Sequence, residues 1–329
     1  MNNWFERGFI RLLLILVSGF VVGIPTALAQ DAGEPQDEEA GEPAADRKRA
    51  MISSALDSEA IAAKWPDATV WLEPPEEDRV LALFEPEADT PAKGALVILA
   101  DEGQSAATGL AGALRRPMAR AGWAVMTLGL EPPPYAVQQY HRQQAAASPE
   151  TSERSGDNDN AEDTEAGGSV MIDVMDSVDV EELEDQYRNR IQKILAVAVS
   201  NLLDRGYETV AVAGVGKAAG HVAGMAPAGA DDVSALIWIA PVFDRIDSET
   251  LPEWLSEAGQ IRVLELHSTR VSEVMEGAGP SSPKEREAAF RREEITSYSR
   301  QPVAMPERPE ARDAPQLANR LSAWLASDR

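Results

Sequence analysis

Apolar positions along the chain switch between two periods. Short apolar or alternating runs at Ala68 to Leu72, Arg79 to Phe84, Ala95 to Ala100, Trp123 to Leu128, Thr209 to Ala213, Ala235 to Ala240 and Ile261 to Leu266 read as strands. Between them apolar residues return every three or four positions. Leu110, Leu114 and Met118 predict a helix from about Ala107 to Ala121, stopped by Gly122. Leu183, Tyr187, Ile191, Ile194, Leu195, Ala198 and Leu202 predict another over Val180 to Asp204, ended by Gly206. A short Gly/Ala-rich helix follows Ala213, a helical stretch surrounds Trp254, and a charged helix runs through Phe290 and Ile295. Leu317, Leu321, Trp324 and Leu325 mark the last one. Glu73-Pro74-Pro75 joins the first two strands as a hairpin, and the unbroken Ala95 to Ala100 run suits a strand covered on both faces. Strands that alternate with helices need crossovers, so the expected fold is α/β: a mostly parallel central sheet, helices on both faces and an N-terminal hairpin.

Three stretches stand outside this pattern. Arg7 and Arg11 precede an apolar run from Leu12 to Ile24, and Ala27-Leu28-Ala29 fits a small-x-small cleavage site. Residues 1–29 therefore read as a signal peptide cleaved after Ala29, which sends the protein to the periplasm. The run is too short to span about 30 Å of hydrocarbon, and Pro25 interrupts it, so no stable membrane anchor is expected after cleavage. Residues 30–50 hold Asp, Glu, Ala, Gly and Pro with no large apolar side chain, the composition of a disordered acidic linker. The domain proper is expected over 51–329, with a disordered acidic insertion at about 145–169. Asp157 and Asp159 in that insertion are spaced like calcium ligands, but Glu162 stands where the turn needs Gly and Gly168 where the bidentate Glu belongs. A solvated charge run is the better reading.

Charge and composition narrow the partners. The 329 residues include 55 acidic against 30 basic side chains, a formal net charge of −25, and no Cys. Such a field repels phosphate backbones and anionic lipid, so nucleic acid is not an expected partner. The absence of thiols suits an oxidising compartment.

The same order of hairpin and βα units occurs in the α/β-hydrolase fold, which keeps its chemistry at two turns. Its nucleophile stands in a G-x-S-x-G turn after a central strand. Here Thr209 to Ala213 runs into Gly214-Val215-Gly216-Lys217-Ala218, so the turn exists in outline and Gly216 occupies the nucleophile position. Glycine has no side chain to attack a carbonyl. The second turn follows Ala95 to Ala100 and reads Asp101-Glu102-Gly103-Gln104-Ser105. A backbone N–H of Gly103 or Gln104 is the candidate oxyanion donor, but two adjacent carboxylates oppose a developing negative charge and suit a hydroxyl-rich or cationic ligand. Candidate ligand-binding residues are thus Asp101, Glu102, Gly103, Gln104, Gly214, Gly216 and Lys217. For Gly214 to Ala218 the structural alternative is a glycine turn that only packs helix on strand.

A triad also needs a base after the last strand. The chain has His141, His221 and His267, and none beyond. His267 ends the strand Val263 to Leu266, where the fold's acid belongs. Three scattered His without Cys leave no ligand set for a catalytic metal, and no cofactor is expected. Gly214 to Gly220 has the spacing G-x-G-x-x-x-G, and the next strand ends in Ala240-Pro241 without a ribose-binding acid, so a dinucleotide turn is not expected.

Over about Met51 to Ala326 the chain resembles a bacterial family of exported α/β-hydrolase-like proteins, the domain of unknown function 3530 family. The resemblance is carried by Gly94-Ala95-Leu96-Val97-Ile98-Leu99 with Gly103-Gln104, by Leu114-Arg115 and Gly122-Trp123, and by the glycine turn Gly214 to Ala218. Val263-Leu264-Glu265-Leu266, Tyr298 with Gln301, and Leu321-Ser322-Ala323-Trp324-Leu325 continue it. It implies the α/β-hydrolase-like fold and no particular reaction, and Asp101-Glu102 stands where a hydrolase often carries His-Gly. Two functions follow. One is a catalytically degenerate domain that binds a small molecule or an envelope protein. The other is a serine hydrolase with a displaced nucleophile, Ser105, and His267 as its base.

Overall fold

The computed structural model describes residues 56–147, 179–227, 232–259, 261–270 and 282–327. The expected signal peptide, the expected acidic linker and the expected insertion from residue 148 onward lie outside the described residues. Residues 145–147 belong to a helix instead of the insertion.

Among the described residues, eight strands form one sheet in the order β1-β2-β4-β3-β5-β6-β7-β8. The hairpin β1 (Thr69–Leu72) and β2 (Val80–Glu85) pairs antiparallel, with Leu72 opposite Val80. β2 also runs antiparallel to β4 (Ala124–Leu130). From there β3 (Ala95–Glu102), β5 (Val210–Val215), β6 (Ala235–Ile239), β7 (Arg262–Ser268) and β8 (Tyr298–Val303) are all parallel. This is the α/β-hydrolase-like arrangement.

The central strands are buried on both faces because helices cover both. On one side α2 (Gly109–Arg120) and α8 (Ala314–Leu325) pack Leu114, Met118, Leu317 and Leu321 against Leu96, Ile98 and Ile237. On the other, α4 (Val180–Asp204), α5 (Ala218–Ala223), α6 (Arg245–Glu257) and α7 (Pro283–Arg292) bury Ile191, Leu195, Val222, Leu251 and Phe290 against Val97, Val212 and Trp238. Two further helices, α1 (Ser58–Lys64) and α3 (Tyr135–Ala147), were not expected from the pattern. Nor was β8, an edge strand whose sequence Tyr-Ser-Arg-Gln-Pro-Val has no apolar period.

The strand order locates the site. From β3 the chain steps sideways to β4, then crosses back to β5 on the other flank of β3. Neighbouring connections therefore leave in opposite directions at the carboxyl ends of β3 and β5, which opens the crevice where α/β sheets bind ligands. Asp101 and Glu102 end β3, and Gly216 and Lys217 follow β5.

Candidate active site of a hydrolase fold

The turn after β5 is tight for two local reasons. A Cβ on Gly214 would stand 2.6 Å from the Ala218 carbonyl oxygen, so only glycine lets α5 start so close to the strand. Gly216 has φ +58°, the left-handed conformation that L side chains rarely adopt. Its N–H donates to Ile239 O at 3.0 Å, and its carbonyl accepts from Val242 N–H at 3.0 Å, which ties the elbow to β6 and the loop beyond.

Asp101 fills the space that a nucleophile would use. A Cβ on Gly216 would lie 2.7 Å from Asp101 Oδ2 and 2.5 Å from its Cγ. Asp101 Oδ1 accepts the Glu102 N–H at 2.9 Å and the Lys217 N–H at 3.0 Å. In an α/β-hydrolase the oxyanion hole consists of the N–H after the nucleophile and one from the loop after β3. Lys217 follows the nucleophile position here, and its N–H and that of Glu102, the last residue of β3, both end on one carboxylate oxygen of the chain itself. Lys217 Nζ reaches back to Glu102, at 3.0 Å to Oε1 and 3.1 Å to Oε2.

The loop after β3 corrects one expectation. Gly103 N–H donates to Leu130 O at 2.8 Å and Gln104 N–H to Asp101 O at 2.9 Å, so neither is an oxyanion donor. The first braces the loop against β4 and the second closes the turn back onto β3, while the Gln104 carbonyl accepts the Leu130 N–H at 3.0 Å. The structure thus brings Asp101, Glu102, Gly216 and Lys217 together, with Gly214 as packing beneath them.

Ser105 and His267 are not brought together. Ser105 is 2% exposed, and its hydroxyl shares a hydrogen bond with Thr108 Oγ1 at 3.1 Å. It lies on the β4 side of β3, because Thr127 Oγ1 of β4 donates to the next carbonyl, Ala106 O, at 2.7 Å. His267 stands on β7, three strand spacings or roughly 14 Å from β3. Burial lowers its pKa, and its Nδ1 is buried without a hydrogen-bond partner. His141 pairs with Glu184 at 3.1 Å. His221 packs edge-on against Tyr187, and burial pushes its pKa down to about 4. Among the described residues no group of three His, Asp or Glu stands ready to hold a metal ion.

Two polar clusters escaped the sequence reading. Between α4 and α6, Arg188 joins Glu184 of its own helix to Asp247 of α6 (2.6 Å) and to Asp244 just before it (2.9 Å). Asp244 in turn caps α6 by accepting the Asp247 N–H at 2.6 Å. Only the Glu184 and Arg188 spacing of four was a visible signal. In the middle of β7, Glu265 is 0% exposed and binds Arg286 through both oxygens, at 2.5 and 3.1 Å, and Tyr298 Oη at 2.7 Å.

Fold and elbow together define an α/β-hydrolase-like protein. The chain belongs to the family described as Protein of unknown function (DUF3530), whose model matches residues 11–327. No curated protein shows significant similarity to it. Similar solved structures include Est1E from Butyrivibrio proteoclasticus, 9% identical with a TM-score of 0.48 over 78% of this chain and 97% of that one. Another is the esterase domain of a Rhodothermus marinus protein, at 12% identity and TM-score 0.47 over 78% and 96% of the chains. A third is a dienelactone hydrolase from Anabaena variabilis, at 13% and 0.46 over 78% and 94%.

Proposed function

We propose that this protein is a catalytically degenerate α/β-hydrolase-fold module, exported to the periplasm, that binds a small molecule or an envelope partner in the crevice above Gly216. One observation carries the reading: Asp101 Oδ1 accepts the N–H of Lys217, the donor that follows the nucleophile position, together with the N–H of Glu102. A tetrahedral intermediate cannot enter that position without expelling a carboxylate that already makes two charge-assisted hydrogen bonds. The missing parts agree. Gly216 supplies no nucleophile, and no His follows residue 267 to serve as base. A fluorophosphonate probe, which labels activated serines, tests this directly. The purified protein is expected to remain unlabelled and to leave short acyl esters intact. Stoichiometric labelling lost on Ser105→Ala would replace this reading with the displaced-nucleophile hydrolase.

A further inference from the structure

We propose that the crevice is a receptor for a protonated amine or guanidinium carried on an apolar body, anchored by Asp101 Oδ2; this rests on the binding reading above. The two oxygens of Asp101 are unequal. Oδ1 is saturated by the Glu102 and Lys217 N–H groups, which fix the carboxylate in one orientation. Oδ2 has no hydrogen-bond partner among the described residues and is not sealed from solvent, since Asp101 is only half-buried and Oδ2 is not among the buried unpartnered atoms. A side chain at Gly216 would overlap the Asp101 carboxylate, so glycine leaves that carboxylate uncovered from the elbow side. A carboxylate oxygen only accepts, so a ligand that meets Oδ2 must bring a donor.

The choice of a cation over a hydroxyl follows from charge. Lys217, the cation nearest on the chain, is committed to both oxygens of Glu102 at 3.0 and 3.1 Å and makes no ion pair with Asp101. A bound anion would face Asp101 and Glu102 together. A hydroxyl can donate one neutral bond, whereas an ammonium makes a charge-assisted bond of about twice the strength. The apolar part of the ligand has its own surface. Tyr135, Val242 and Ile246 are the large apolar residues left exposed among those described, at 69%, 50% and 48%. All three follow carboxyl ends of strands, after β4 and β6, and the Val242 N–H is bonded to Gly216 O itself. An exposed apolar group fastened to the elbow and a spare carboxylate oxygen beneath it fit opposite ends of one amphiphilic cation.

The test titrates the protein with hexylamine, hexanol and hexanoate at neutral pH while backbone amide resonances are followed. Hexylamine is expected to shift the Glu102 and Lys217 amides, to bind about tenfold or more tightly than hexanol, and to leave hexanoate without a site. Asp101→Asn keeps an oxygen for the two N–H groups and replaces the second oxygen with a donor. It should weaken hexylamine about 10- to 100-fold, the range for losing a hydrogen bond to a charged group. Val242→Ser, on the exposed rim, provides a variant that leaves the buried structure intact, and it should weaken hexylamine while leaving methylamine unchanged. Equal binding of hexanol, preference for hexanoate, or hexylamine affinity unchanged in Asp101→Asn would each overturn the cation assignment. Failure of hexylamine with the protein still inert to fluorophosphonate removes this inference alone, whereas labelling removes the binding reading beneath it.

Discussion

Two carboxylates on parallel strands, Glu265 in the middle of β7 and Asp101 near the carboxyl end of β3, meet opposite fates. Glu265 on β7 is fully buried, and Arg286 and Tyr298 satisfy both of its oxygens. Asp101 on β3 is half-buried, with one oxygen held by two backbone N–H groups and the other open. Glu265 can only hold the fold together: Arg286 brings α7 onto β7, and Tyr298 does the same for β8. Asp101 holds the elbow and still has a lone pair to offer. A saturated buried acid has no acceptor left to offer, whereas a half-saturated acid at a strand end is the kind of group the proposed binding site needs.

The largest expected effect lies on the structural side of that contrast. Glu265→Ala leaves Arg286 charged and buried at 6% exposure, and breaking such a pair costs about 3–5 kcal/mol. Urea denaturation should show that loss at unchanged slope. A cost below about 1 kcal/mol would mean that Glu265 is not the keystone of this end of the sheet.

The cluster around Arg188 should respond to pH through His221. Its folded pKa, about 4, lies below its ordinary 6.5, so the unfolded chain binds the proton more readily. The stabilisation from this group is complete above pH 6.5 and is lost as pH falls toward 4. Between pH 7.5 and pH 5 the loss is about 2 kcal/mol. His221→Gln should remove that part of the pH dependence, read as the difference between wild-type and variant urea midpoints. Parallel pH curves for the two would show that His221 is not desolvated in the folded protein.

Much of this architecture is legible in the chain, and the illegible parts have physical causes. Strands β3 to β7 stand out because parallel strands covered on both faces must be apolar throughout. Helix α4 was readable over its full length, since its stripe runs from Leu183 to Leu202. β8 was missed because it lies at the edge of the sheet, where Tyr298 serves Glu265 and Ser299 accepts from the Trp324 indole, so polarity does not alternate with depth. The charged helix ends at Arg292 instead of continuing through Ile295, because Glu294 turns at φ +58° and Ile295 N–H folds back to Phe290 O. At the site, the glycine turn and the acidic loop were both visible. Their union was not, for Asp101 and Lys217 are 116 positions apart and only the adjacency of β3 and β5 joins them.

A smaller effect is expected at the elbow. Gly216→Ser places a side chain at φ +58° and into the Asp101 carboxylate, and the backbone term alone costs about 1–2 kcal/mol. Asp101→Ala should relieve part of that cost, so the pair will be non-additive in a double-mutant cycle. On the degenerate reading proposed above, neither the single variant nor the double is expected to hydrolyse esters, since no His follows residue 267. Additive costs would separate Asp101 from Gly216, and turnover by Gly216→Ser would reveal a base. Asp101→Asn, which preserves the shape, should change stability least, by less than about 0.5 kcal/mol.

Amide hydrogen exchange at Glu102 and Lys217 tests the occupied oxyanion hole most directly. Both N–H groups end on one carboxylate oxygen, so both are expected to be protected in the wild type. They should remain protected in Asp101→Asn and exchange faster together in Asp101→Ala, while the Gly103 amide on Leu130 O keeps its rate. Unprotected Glu102 and Lys217 amides in the wild type, or rates that Asp101→Ala leaves unchanged, would mean that the hole is open and contradict the account.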